Sequence, residues 1–198
     1  MSQLTLTSDP LGSATTGTFE FENPAFYMTG ATSQRGVVLA DQFILLQSTN
    51  TLTSQTAAQA LFDVTGSGQV TLVAGTYEFE CQFSLSSMSA TSGSFGFALG
   101  GGATFTQYWW SSANKATLAT AASGQVTYNT AANTALVTAN TNTVAFARCG
   151  GVVIVTVGGT VIPQVSLGVA AAAVVGVGSY FKIRALGGAA ATSSGNWS

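Results

Sequence analysis

The chain has 198 residues and no histidine, and only twelve of its side chains are charged near neutral pH: seven acids and five bases. Enzymes commonly tune acids, bases or metal ligands within a pocket, and this sequence supplies few such groups. A net charge of −2 gives no basic footprint for nucleic acid. The composition therefore favours a structural or binding role, with no cofactor, no catalytic residue and no nucleic-acid partner.

Apolar runs long enough to cross a bilayer are also missing. Val165–Val177 is apolar but short, and Gly168 and Gly176 interrupt it. No basic region opens the chain, so we do not expect Met1–Thr7 to be a signal peptide. These features predict no membrane partner.

Cysteine is scarce, because Cys81 and Cys149 are the only two and each lies in an apolar, strand-like segment. Two buried free thiols are one interpretation. A disulfide is the other, and it requires Cα atoms within about 7 Å of each other. Without histidine, a nearby second cysteine or a carboxylate cluster, we expect no metal site.

Motifs for phosphate binding or nucleophilic catalysis are absent as well. Gly100–Gly102 does not belong to a G-x-x-x-x-G-K-[ST] sequence. A serine nucleophile has no histidine to activate it. We therefore expect the protein not to be an enzyme.

What the sequence does contain is alternation typical of β-strands. In Thr76–Ser86 the odd-numbered residues from Tyr77 to Leu85 are apolar and the even-numbered ones are polar. Ser179–Leu186 alternates in the same way. Many short strands with glycine-rich turns predict an all-β fold, an antiparallel sandwich or jelly roll.

Several local elements are predicted around these strands. Ser54–Phe62 is the best helical candidate before residue 100, and Ser111–Ala122 suggests a helical turn. The Gly150-Gly151 and Gly158-Gly159 pairs suggest turns that use positive φ. Ala131–Thr143 suggests a long uncharged surface loop, or a segment that lies against another subunit.

Three regions are expected along the chain. Residues 1–18 form an N-terminal arm rich in Thr, Ser and Gly, which would be disordered unless docked on something. Residues 19–187 form the β-domain, and residues 188–198 form a C-terminal tail.

Charged residues on two strands share a spacing of two. If Thr76–Ser86 and Ser179–Leu186 are neighbours, Glu78 and Glu80 form a cross-strand ladder with Lys182 and Arg184. Glu20 and Glu22, in the strand Phe19–Glu22, are candidates to extend it. A carboxylate pair for glycosidase-like acid–base catalysis is the alternative, but alternating strand carboxylates usually form an ion-paired or solvated face. The ladder also suits an intersubunit contact.

Aromatic residues cluster in Thr104–Trp110. Two consecutive tryptophans in a strand cannot both face the core, so one is exposed or lies at an interface. The cluster is either core and subunit packing or a sugar-binding platform. Its members are Phe105, Tyr108, Trp109 and Trp110.

The segment Gly68–Glu80 (GQVTLVAGTYEFE), followed by a Ser-rich turn, and the final Ser179–Leu186 (SYFKIRAL) resemble tumour necrosis factor-like and complement-type jelly rolls. In those folds the corresponding strands lie side by side in the inner sheet. Between Phe19 and Leu186 the chain also resembles a group of tailed-bacteriophage virion proteins. That second resemblance rests on Arg35–Val38, Leu52–Phe62, Phe95–Gly101 and Val161–Gly168.

The resemblance implies a homotrimer without catalytic residues, made in the host bacterial cytoplasm and located on the virion surface. Because the arm is short and no long stalk precedes the domain, we expect a capsid decoration, cement or head-fibre protein. Its arm would bind the major capsid protein or another virion protein. A tail-fibre or tail-tip module that recognises host glycans is the alternative.

Overall fold

The computed structural model describes residues 19–22, 25–29, 35–38, 41–63, 65, 68–115, 125–130, 133–137 and 142–188, and this part of the chain is entirely β-strand and connecting loop. The predicted arm at residues 1–18 and the tail from residue 189 onward lie outside the described residues. No helix of a length and hydropathy suited to crossing a membrane occurs in the described ranges.

The strands form three antiparallel sheets. A small sheet holds β1 (Phe19–Glu22), β2 (Ala25–Thr29) and β3 (Arg35–Val38). The large sheet contains β4 (Asp41–Leu45), β5 (Asn50–Thr51), β8 (Gly75–Ser86), β10 (Thr104–Lys115), β11 (Gln125–Asn129), β13 (Ala145–Val157), β15 (Val174–Val175) and β16 (Tyr180–Gly187). The five-stranded sheet contains β6 (Gln59–Ala60), β7 (Val70–Leu72), β9 (Phe95–Gly100), β12 (Asn133–Val137) and β14 (Gly159–Leu167).

The large and five-stranded sheets pack face to face as a sandwich, and the predicted jelly-roll class is confirmed. Across the large sheet the order is β11-β10-β13-β8-β16-β4, with β15 also paired to β8 and β5 to β15. The two strands that carry the resemblance, β8 and β16, are neighbours, as expected. The five-stranded sheet runs β12-β9-β14-β6, and β7 also pairs with β14.

Alternation along β8 builds the core. Its odd-numbered side chains from Tyr77 to Leu85 are buried, whereas its even-numbered ones are partly exposed. Phe79 and Phe83 meet Phe97 of the opposing sheet at ring-centroid distances of 6.3 and 6.2 Å. Each fully buried aromatic or aliphatic side chain contributes about 1.5–3 kcal/mol, so these contacts hold the two layers together.

The predicted helix at Ser54–Phe62 is wrong. Gln59 and Ala60 form strand β6 on the edge of β14, and the Leu61 N–H donates to the Pro163 carbonyl at 2.9 Å. Leu61 and Phe62 are fully buried. A segment this short gains little from helix formation alone, so sheet pairing and burial prevail.

The expectation that Gly150-Gly151 is a turn is also wrong, because β13 runs without interruption from Ala145 to Val157. Gly151 lies opposite Trp110, and a Cβ there would stand 2.4 Å from the Trp110 Cα. The glycine is therefore required by close strand approach and not by a turn. Gly158-Gly159 does connect the two sheets, but positive φ among described residues occurs only at Ser87, Gly101 and Gly178.

Two smaller predictions are corrected. Within Ala131–Thr143, the stretch Asn133–Val137 is strand β12, and its Leu136 and Val137 are buried against the sandwich because the pattern there is apolar. Within Ser111–Ala122, residues 111–115 continue strand β10 because β13 pairs with them, and residues 116–122 lie outside the described part.

The strand that carries Glu20 and Glu22 is not a neighbour of the two ladder strands in the described ranges. Strand β1 folds back on β2, and in the described ranges it pairs with no strand of the large sheet. Only two residues of sequence separate β1 from β2, so the two strands pair with each other locally.

We expect Gly151→Ala to destabilise the fold by about 1–3 kcal/mol, because the added methyl group meets backbone atoms of β10 that have no room to move. Gly102→Ala is the matched control, since its new methyl would find only ordinary contacts from 3.5 Å outward. Chemical denaturation of both variants measures the difference. Equal stability of the two variants would contradict the close-approach account.

Asn114 is a buried amide on β10 whose side-chain oxygen and nitrogen have no hydrogen-bond partner in the structure. We expect Asn114→Leu to raise the free energy of unfolding by about 1–3 kcal/mol, because the change removes an unpaired polar group from the interior. Asn50→Leu is the control, since Asn50 donates to the Leu61 carbonyl at 3.0 Å and its loss should destabilise. Thermal and urea unfolding measure the stability of both variants. Asn114→Leu should be more stable than the wild type, and Asn50→Leu should be less stable.

Candidate functional site: the outer face of the large sheet

Charged residues are concentrated on one surface of this charge-poor molecule. Strand register and alternation place seven of the twelve charged residues on the solvent side of the large sheet, which we call the outer face. In contrast, the strands of the five-stranded sheet carry no charged residue within their bounds. The seven are Asp41, Glu78, Glu80, Lys115, Arg148, Lys182 and Arg184.

The four residues of the predicted ladder lie on adjacent strands and face each other in pairs. Lys182 faces Glu80 and Arg184 faces Glu78 in the register of β16 and β8. The Arg184 Nε and Nη2 groups donate to Glu78 Oε2 at 2.8 and 2.5 Å. Lys182 Nζ lies 3.6 Å from Glu80 Oε2. The carboxylates are thus held by cations, which suits an ion-paired face rather than an acid–base pair.

Glu80 is the most heavily engaged charge on the outer face. It accepts a hydrogen bond from the Tyr180 hydroxyl at 2.6 Å and faces Arg148 Nη2 at 2.5 Å. The Tyr180 hydrogen bond, and then Arg148 and Lys182, hold the pKa of Glu80 below its ordinary value, against an opposing effect of burial. The same hydrogen bond raises the pKa of Tyr180. The result is a carboxylate that stays ionised and fixed in position.

Two members of this cluster, Arg148 and Tyr180, were not predicted as site residues. Tyr180 shares a face with Lys182 in the sequence pattern, so a signal for it existed. Arg148 approaches from β13, on the other side of β8. Only the strand order reveals that neighbour.

The aromatic cluster does not form one platform, because strand alternation divides it. Trp109 points to the outer face and is 56% exposed, whereas Trp110 is 2% exposed and packs edge-on against Phe97 at 5.4 Å. Phe105 and Tyr108 are partly buried and pack on each other at 5.0 Å. Burial raises the pKa of Tyr108.

Exposed apolar side chains lie at both edges of the outer face. Phe43 and Leu45 project from β4, and Phe43 stacks on Tyr180 at 5.6 Å; we call these two residues the β4 patch. At the opposite edge Trp109 and Val152 face each other, and Tyr128 and Val126 lie on β11. We call these four residues the β10–β11 patch. Exposed apolar side chains that lie together on one face are candidates for an interaction surface.

A furrow separates the β10–β11 patch from the ion pairs. It is an open depression of about 280 Å³, with Gly150 and Gly151 of β13 at its base. Ser111 and Ala113 of β10 lie on one side, Glu78 and Glu80 of β8 lie on the other, and Arg148 lies further along β13. Gly150 is paired with the outward-facing residues Ser111 and Glu80, so the missing side chain at Gly150 leaves this part of the outer face open.

Cys81 and Cys149 lie opposite each other in β8 and β13, on the core side of the same sheet. Both are buried free thiols, which confirms one of the two interpretations left open. Burial raises the pKa of each thiol, so neither is a reactive nucleophile. In the described ranges no three His, Cys, Asp or Glu side chains are grouped as metal ligands.

In comparisons with known proteins, no protein-family model matches this chain, and no curated protein matches it either. The outer face therefore has to be interpreted from its own chemistry.

We expect the ion pairs of Glu80 to make stability fall in acid. Because the folded pKa of Glu80 lies below its ordinary value of 4.5, its contribution is present above that pH and is lost as the pH falls through the folded pKa. Thermal melts of the wild type and Glu80→Gln between pH 7 and pH 3 measure the effect as a difference in Tm. The difference should be largest at neutral pH and shrink in acid.

Tyr180→Phe is the matched variant, because it removes the largest cause of the lowered pKa and leaves the ring in place. Its acid dependence should lie between those of the wild type and Glu80→Gln. A Tm difference that stays constant with pH would contradict the assignment.

Proposed function

We propose that this chain is a non-enzymatic bacteriophage virion protein, a trimeric capsid decoration, cement or head-fibre protein that associates with itself through the outer face. The observation that carries the proposal is the arrangement of that face: two exposed apolar patches at opposite edges, with paired charges between them. Homo-oligomers usually have closed symmetry, and in a closed ring of three copies one patch of each copy meets a different patch of the next.

The charge balance of the outer face supports contact between identical copies. Its three acids and four bases nearly cancel, and Glu78 and Glu80 already have cationic partners within the monomer. Like charges brought together across an interface cost several kcal/mol, and a nearly neutral face avoids that cost. Tryptophan, tyrosine and arginine, which all occur here, are also enriched in interfaces.

The virion assignment rests on the sequence resemblance to tailed-phage proteins together with the jelly-roll fold. A charge-poor surface suits permanent packing against particle neighbours, because such contacts depend on apolar burial and tolerate salt. Fold alone does not define function, so the assembly state is the property to measure.

A saccharide-binding tail module is the second candidate, and one observation favours it. Trp109 is exposed beside the furrow, where carboxylates and Arg148 stand opposite. Aromatic faces stack on the apolar faces of sugars, and charged groups bind sugar hydroxyls. The two candidates differ in what Trp109 contacts.

We expect the purified protein to have three times the chain mass of 20.0 kDa in light scattering, and to keep that mass in about 1 M salt. Trp109→Ala should weaken assembly by about 30-fold, because truncating a central interface aromatic costs about 2 kcal/mol. Val169→Ala, an exposed apolar position in the loop after β14, is the control and should leave the mass unchanged.

A glycan array on the same variants separates the two candidates. If the protein is a saccharide-binding module, Trp109→Ala abolishes array binding and leaves the oligomeric mass intact. A monomeric wild type would contradict the trimeric assignment.

A further inference from the structure

We propose that the contact between copies is head to tail, with the β4 patch of one molecule seated in the glycine-floored furrow of the next. This inference rests on the proposed self-association and specifies its geometry. It follows from the shape, polarity and separation of two surfaces on the outer face.

The β4 patch has the form of a projection. Strand β4 is an edge strand that, among the described strands, pairs only with β16. Phe43 is 54% exposed despite its contact with Tyr180, and Leu45 stands beside it on the same face. A free edge that presents large apolar side chains is a surface that natural proteins normally cover.

The furrow has the form of a receptor. It has a volume of about 280 Å³ and is open to solvent, so a phenylalanine ring can enter it from outside. The exposed Trp109 and Tyr128 stand on the β10–β11 side and offer aromatic partners to an entering ring.

One charge beside each surface can pair with the other. Asp41 lies on β4 two residues before Phe43, is exposed, and makes no ion pair with any residue that the structure describes. Arg148 lines the furrow together with Glu78 and Glu80, and its side chain stays 59% exposed while it pairs with Glu80. The two carboxylates already have Arg184, Lys182 and Arg148 as partners, so Arg148 is the exposed cation that the furrow offers to Asp41. Seating Phe43 in the furrow brings the acid of one copy toward the base of the other.

The β4 patch and the furrow cannot contact each other within one molecule. Three strand spacings separate β4 from β13, a distance of about 14 Å across a continuous sheet. Each copy therefore presents one projection and one receptor, and a contact between them closes into a ring of three when the rotation between neighbouring copies is that of a trimer.

Cysteine cross-linking tests the contact. The double variant F43C/S111C, oxidised with copper–phenanthroline under air, should give covalent oligomers on a non-reducing gel. Each single variant should give none, because the native thiols are buried. F43C/V169C is the matched control and should stay uncross-linked. An oligomer by light scattering that yields no F43C/S111C cross-link overturns the head-to-tail contact but leaves the proposed function; a monomer overturns both.

Substitutions test the same contact without cross-linking. Phe43→Ala should raise the dissociation constant of the oligomer about 30-fold, as expected for an interface anchor. Asp41→Asn and Arg148→Gln should each raise it about two- to fivefold, and the double variant should raise it no further than one single variant does. Circular dichroism confirms folding of each variant. Strictly additive effects of the two neutralising substitutions would overturn the pairing of Asp41 with Arg148.

Discussion

The twofold alternation of strand β8 is the constraint on which the rest of the molecule depends. Twelve residues keep the pattern without a break, so every odd-numbered side chain enters the core and every even-numbered one faces solvent. The buried half carries Phe79 and Phe83, which join the two layers, and the solvent half carries Glu78 and Glu80, which organise the charges. A one-residue slip would reverse both assignments at once, so core packing and ion pairing specify the same register.

That coupling explains how much of the molecule was predictable from sequence. Alternation is local information, so the faces of β8 and β16, the fold class and the opposed pairs Glu80–Lys182 and Glu78–Arg184 could be expected once two strands were taken as neighbours. Strand order on the far side of β8 is non-local, so Arg148 went unpredicted. The period of two also predicts that Trp109 and Trp110 point to opposite faces of the strand. It does not say which of them is exposed, because that depends on which face of the sheet packs against Phe97.

The glycines show where local rules fail. Gly150-Gly151 looks like a turn because glycine permits positive φ, yet both residues lie in the longest strand of the sheet. What the position requires is the absence of a side chain: Gly151 allows β13 to approach Trp110, and the pair leaves a furrow on the outer face. The Gly150-Gly151 pair thus serves packing on the core side of the sheet and surface shape on the outer face. Neither role leaves a local signature, because both depend on a partner strand distant in sequence.

Scarcity of charge acquires a different meaning once the charges are located. A surface formed mainly by Thr, Ser and backbone groups has a weak electrostatic potential. The few charges present therefore have a large effect on which surfaces can bind each other. Seven of them lie on one face, and the cations at its centre hold the carboxylates of β8 in fixed positions. Apolar burial at the two edges can supply affinity, but it is nearly indifferent to orientation. In the proposed self-association, the ordered charges between the edges supply what apolar contact lacks, a preference for one alignment of identical copies over the others.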